Sequence, residues 1–169
     1  MKRICCLLIC GLILISLSGC PAPGADDAVS VSFYYLRTPA DYVYGSEDGV
    51  ITGENREISG HEGDLRYLLT LYLQGPLDEN LQAPFPDGCR ILELQSDGTE
   101  FALLLNSNFS TLKDMDLTLA CVCIAKTCFS LTDAQSIRIM AESFTDQIAV
   151  DQTIHMNSLI NETSKGTTP

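Results

Sequence analysis

The chain has 169 residues, with 22 acidic against 10 basic side chains, a formal net charge of −12 and a pI near 4.3. That length fits one ordinary domain with room for a core. The acidity argues against nucleic acid and anionic lipid headgroups as partners, because both repel such a surface.

The first residues have the three-part layout of a secretory signal. Lys2 and Arg3 form a positive start, and Ile4 to Leu17 is an apolar run broken only by Gly11 and Ser16. The ending Leu17-Ser18-Gly19-Cys20 resembles a bacterial lipobox, cut just before the cysteine. Cys20 is then the lipidated first residue of the mature chain, and the domain sits on the extracytoplasmic face of the cell membrane. The alternatives are an uncleaved anchor or ordinary secretion. Against them, the run is about 14 residues where a spanning helix needs about 20, and no Ala-x-Ala-like site is present. Removing residues 1–19 leaves 150 residues, with 8 basic side chains against 22 acidic and a charge of about −14.

Residues 20–28 then form the lipidated N-terminus and a spacer, 29–157 a single domain, and 158–169 a flexible tail. Val29 to Arg37 reads as a strand with Val29, Val31, Phe33 and Tyr35 on one face. Tyr42 to Tyr44 and Gly49 to Glu57 read as an extended excursion. Glu62 to Gln74 reads as a helix, with Leu65, Leu68, Leu69, Tyr72 and Leu73 at helical spacing. Gly75-Pro76 ends it. Leu77 to Gly88, with Pro84, Pro86 and Asp87-Gly88, reads as a loop.

Ile91 to Leu94 and Glu100 to Leu105 flank Asp97-Gly98 and form a hairpin by their turn chemistry. A second helix near Met115 to Ser130 is apolar nearly all round, which predicts deep burial, and Asp114 or Asp116 favours its N-terminus. Ser136 to Ala141 is a further core strand, and Gln147 to Met156 a candidate edge strand. Asn161 to Pro169 is polar. The predicted class is α+β, a β-α-β-β-α-β plan with one small mixed sheet and two helices packed on one face.

Of eight cysteines, Cys5, Cys6 and Cys10 fall in the signal segment and Cys20 takes the lipid. Cys89, Cys121, Cys123 and Cys128 remain. Cys121 and Cys128 share a helix face with Leu117 and Ile124, the pattern of small buried hydrophobes; a disulfide from Cys89 to the helix is the alternative. No C-x-x-C pair or histidine partner supports zinc, and no acidic cluster has the spacing of a calcium loop, so no metal and no cofactor is expected. His61 and His155 lack metal-ligand spacing, no G-x-S-x-G elbow is present, and nucleotide binding lacks its glycine-rich loop. No catalytic residue emerges, and a non-enzymatic protein is expected.

Several segments in order carry a family resemblance. Tyr67 to Pro76 ends a helix in Leu-x-Gly-Pro. Pro84-Phe85-Pro86-Asp87-Gly88 and Arg90-Ile91-Leu92 follow at short range, then Leu105-Asn106-Ser107-Asn108-Phe109, a helix starting near Asp116-Leu117 and the strand Ser136-Ile137-Arg138-Ile139. Over about residues 30–142 this resembles the GerMN domain of sporulation and germination lipoproteins. The resemblance implies a fold similar to the ring-building motif of sporulation secretion-channel proteins, and a membrane-tethered assembly or interaction module. It assigns landmark positions to Gly75, Pro76, Pro86, Gly88 and Phe109, each explained by backbone geometry or burial.

The sequence has one copy of the domain where GerM-like proteins carry two, and Asn106 stands where an apolar strand residue is usual. Partners implied are the membrane, through Cys20, and an envelope protein or a second copy. The alternative is a lipoprotein that binds a small ligand or cell-wall fragment, with Tyr34, Tyr35, Tyr42 and Tyr44 as stacking surfaces.

Overall fold

The computed structural model describes residues 29–38 and 49–160. Cys20 and the signal segment, Tyr42 and Tyr44, and the tail beyond Ile160 lie outside the described residues. The element order is β1 (Val29–Arg37), β2 (Ile51–Ile58), α1 (Leu65–Tyr72), β3 (Leu81–Gln82), β4 (Ile91–Ser96), β5 (Glu100–Leu105), a 3-10 turn (Phe109–Thr111), α2 (Asp114–Leu131), β6 (Ser136–Glu142), β7 (Ile148–His155) and α3 (Met156–Ile160).

The content is α+β as expected, but the strands divide into two sheets rather than one. One has the order β2-β1-β3 and the other β4-β5-β6-β7. β5 and β6 are parallel and joined through α2, while the other neighbours are antiparallel.

The reason for the division is visible along β1. Its first edge pairs with β2 from Val29↔Ile58 to Leu36↔Ile51. Its second edge meets a strand only at Leu36 and Arg37, which pair with β3. Between these, hydroxyl groups take the place of a neighbouring strand. The Tyr34 N–H donates to Thr127 Oγ1 (2.9 Å), and the Tyr72 hydroxyl donates to the Tyr34 carbonyl (3.0 Å). Ser130 Oγ lies 2.7 Å from both the Ser32 and Thr127 carbonyls and shares its one proton between them. α2 therefore lies where the next strand of a single sheet would lie.

The helix also packs on β6 and β7, so it is covered from both sheets. This explains its sequence: Ala120, Cys121, Cys123, Ile124, Ala125, Thr127 and Cys128 are buried around most of its circumference. Alternation sets the second sheet against it. Phe101, Leu103 and Leu105 of β5 lie beside Ile137, Ile139 and Ala141 of β6, all on the inner face. One continuous core results, closed on the first sheet by Phe33, Tyr35, Ile58, Leu69 and Tyr72.

α1 is shorter than the expected Glu62 to Gln74. Gly63 has φ +84°, outside the helical region, and Asp64 caps the helix by accepting the Tyr67 N–H at 3.0 Å. The excursion around Gly49 to Glu57 proves to be a full strand, β2.

All four described cysteines are free and buried, so the disulfide from Cys89 is not formed. Burial pushes the thiols of Cys89, Cys123 and Cys128 up to about 12 and that of Cys121 up to about 11, from an ordinary 9.0. Between these values the unfolded chain has lost protons that the folded chain keeps. Stability is therefore full below about pH 9 and falls as pH rises above it, by at most about 1.4 kcal/mol per pH unit for each thiol. Urea midpoints are expected to hold from pH 7 to about pH 8.5 and to drop steeply by about pH 10. A midpoint unchanged at that alkaline end contradicts the burial of the thiols.

Candidate interaction surface

The inward positions of β2 are occupied by Glu54, Arg56 and Ile58, beside Phe33 and Val31 of β1. Arg56 is 7 % exposed. Its guanidinium lies over the Phe33 ring at 5.2 Å and reaches Glu54 Oε2 at 2.6 Å. Nη2 donates to the Gly75 carbonyl (2.6 Å) and to the Tyr35 hydroxyl (3.3 Å). The other carboxylate oxygen, Glu54 Oε1, accepts the N–H groups of Leu77 and Asp78, both at 2.8 Å.

The Tyr35 hydroxyl lies 2.9 Å from the Tyr72 carbonyl and 3.1 Å from that of Gly75. Burial holds this phenol well above its usual range, against the opposing pull of Arg56. The ion pair is thus a clamp: it fastens the chain reversal after α1, from Gly75 to Asp78, onto β2. Both charges are satisfied, so burial is tolerable.

The sequence landmarks have similar structural surroundings. Gly75 sits at φ +94°, a left-handed conformation that ends α1 ahead of Pro76. The Pro86 carbonyl accepts the Cys89 N–H at 3.2 Å. Gly88 has φ +73°, and a Cβ there would lie 2.8 Å from Asn108 Nδ2. Phe109 is fully buried at the 3-10 turn. Asn106 is buried yet satisfied: its amide accepts the Arg90 N–H (3.1 Å) and donates to the Gly88 carbonyl (3.0 Å). It extends the β4–β5 pairing where an apolar residue would leave two backbone groups unmet. The structure does not bring the landmarks together as a chemical site.

The histidines lie apart. His61 stacks on Tyr67 at 3.8 Å, and His155 ends β7. Among the described residues no group of acids, histidines or cysteines has the arrangement of a metal site. The proposed tyrosine platform is reduced: Tyr35 is fully buried within the clamp, and Tyr34 is half-buried with Lys126 Nζ 5.3 Å from its ring centroid.

A concave surface does occur elsewhere. A groove of about 730 Å³ runs between the start of β2, the outer stripe of α2, and β7 with α3. Leu117, Val122, Ile154 and Leu159 supply apolar lining, Thr118, Gln152 and Ser158 polar lining, and Lys126 is the charged residue. Among its described lining residues there is no acid, in a chain that carries 22. Sequence reading missed this surface, because it joins three distant segments. The available signal was Lys126 itself, the lone cation in a helix that otherwise reads as core.

No protein-family model matches this sequence, and no curated protein matches it. Among solved structures, the tandem GerMN domains of the sporulation protein GerM from Bacillus subtilis superpose with a TM-score of 0.55 at 14% identity, covering 82% of this chain and 47% of that one. A candidate lipoprotein from Clostridium perfringens aligns with a TM-score of 0.47 at 14% identity, covering 82% of this chain and 95% of that one. The chain has the GerMN-domain fold, and spans about half the length of the tandem GerM structure.

The clamp makes a measurable prediction. Arg56→Met leaves Glu54 buried without its cation and is expected to cost about 3–5 kcal/mol in urea unfolding. Combining it with Glu54→Gln should cost less than the sum of the single changes, because the two residues share one interaction. Additive losses would show that they act independently.

Proposed function

We propose that this chain is a lipid-anchored, non-enzymatic module of the cell envelope that works by binding another protein. The observation that carries the reading is the groove: lined by apolar and uncharged polar side chains with Lys126, free of acid among its described residues, and set in a strongly acidic domain. A concave surface whose described lining carries apolar side chains and no acid suits a partner rather than solvent. The GerMN fold is compatible with this, since the solved GerM protein bearing it is described as a sporulation protein. A part in sporulation or germination is an extension of the same proposal.

The anchor belongs to the proposal through sequence. Among the described residues no helix is long and apolar enough to cross a membrane, and the lipobox-like Leu17-Ser18-Gly19-Cys20 supplies the attachment. Acyl chains add about 0.8 kcal/mol of membrane affinity per buried CH₂, so more than one chain holds the domain stably.

A second reading, a binder of a small ligand or wall fragment, is favoured by one observation. The groove volume of about 730 Å³ falls within the roughly 300–1,000 Å³ typical of ligand pockets. Thermal unfolding with muropeptides separates the two readings, because a ligand bound only by the folded state raises the melting temperature.

The anchored-adaptor reading is tested in cells. The wild-type chain should partition with detergent in phase separation and co-purify with an envelope protein after mild cross-linking. Cys20→Ser should move it to the aqueous phase and accumulate the uncut, heavier precursor. Aqueous partitioning of the wild type contradicts the anchor, and an uncross-linked monomer contradicts the adaptor.

A further inference from the structure

The β6–β7 turn carries an apolar knob that the core does not use. Phe144 is 74% exposed and Ile148 52% exposed. The turn around them is held locally. The Ser143 N–H donates to the Gln147 carbonyl at 2.6 Å, and Ser143 Oγ accepts the Thr145 and Gln147 N–H groups at 3.2 and 3.3 Å. An aromatic on an ordered turn is a low-entropy anchor of the type that dominates interface energetics. Its neighbours are acidic, with Asp146 exposed in the turn and Glu142 half-buried at its base.

The groove on α2 has the complementary character: apolar walls with Lys126 as its cation. The two surfaces lie toward opposite ends of β7. The knob precedes Ile148, while the strand's groove residues are Gln152 and Ile154. The six steps along the strand from Ile148 to Ile154 span about 20 Å. The knob therefore does not fill the groove of its own molecule.

We propose that the Phe144 turn of one copy docks in the Lys126 groove of a second copy. This rests on the protein-binding reading above and names its partner. Copies of so acidic a chain repel each other over most orientations. This contact is favoured because it sets Phe144 and Ile148 against Leu117, Val122 and Leu159 and brings Asp146 and Glu142 toward Lys126. The two patches are different surfaces of the same molecule, so the contact is heterologous. Each copy engages one neighbour through its turn and another through its groove, and association continues into a ring or filament rather than stopping at a symmetric dimer.

The experiment uses the full chain in detergent micelles, with the photoreactive amino acid benzoylphenylalanine in place of Phe144. Light and heavy-isotope copies are mixed and irradiated, and the linked peptides are mapped. The expected result is links between light and heavy copies that fall within residues 117–126 or 152–159. Lys126→Glu should reduce their yield about tenfold while the protein still unfolds cooperatively on heating. Absence of mixed-isotope links, links to any other surface, or a yield indifferent to Lys126→Glu overturns the proposal. The same photoprobe used in cells distinguishes the failures: links to a different envelope protein overturn self-docking but support the protein-binding reading, whereas no protein link in micelles or cells overturns both.

Discussion

The structure depends on what satisfies the second edge of β1. A strand inside a protein presents N–H and C=O groups on both sides, and an unmet buried group costs about 1–3 kcal/mol. β2 covers one side of β1 along its length, but β3 covers the other only at Leu36 and Arg37. Thr127, Tyr72 and Ser130 supply hydroxyls to that edge at Tyr34 and Ser32. A strand partner would have continued one sheet. A helix in that place ends it and lets a second sheet pack on the helix's remaining faces.

Much follows from that substitution. α2 has a sheet on each of two sides, so it is apolar around most of its circumference, and its thiols serve as small core side chains with raised pKa values. Beyond its exposed first turn, little of the helix reaches solvent, and Leu117, Thr118, Leu119, Val122 and Lys126 of that outer stripe line the groove. The packing that joins the sheets thus also produces the surface to which function is assigned. The Arg56–Glu54 clamp acts at the other end of β1's surroundings, holding the α1 reversal so that Tyr72 is in place to reach the Tyr34 carbonyl.

The elements legible in sequence were those whose burial follows a period. Val29 to Arg37, α1 and Ser136 to Ala141 each show it, whereas the hairpin was legible from its Asp97-Gly98 turn and α2 from an apolar character that runs nearly all round. β2 did not show a period, because two of its inward positions are Glu54 and Arg56, which read as solvent-facing until their mutual pairing is known. β3 is two residues long and has no period to detect. The division into two sheets was hidden for a different reason: periodicity reveals which face of a strand is buried, not what lies along its edge. Thr127 and Ser130 read as polar interruptions of a helix, and their backbone acceptor and donor lie more than ninety residues away. Asn106 was recognised as out of place, and its amide pairing with Arg90 and Gly88 explains why it is there. The groove was illegible because residues 49–51, 117–126 and 152–159 meet only in the folded chain.

Hydrogen exchange at the Tyr34 amide tests the account most directly. If Thr127 Oγ1 completes the β1 edge, this amide should exchange as slowly as those β1 amides bonded to β2. Thr127→Val should then accelerate Tyr34 by about tenfold or more, corresponding to roughly 1.4 kcal/mol, while the β1–β2 ladder changes no more than global stability does. A Tyr34 amide that already exchanges like an open strand edge in the wild type, or that does not respond to Thr127→Val, would contradict the helix-for-strand substitution at the centre of the fold.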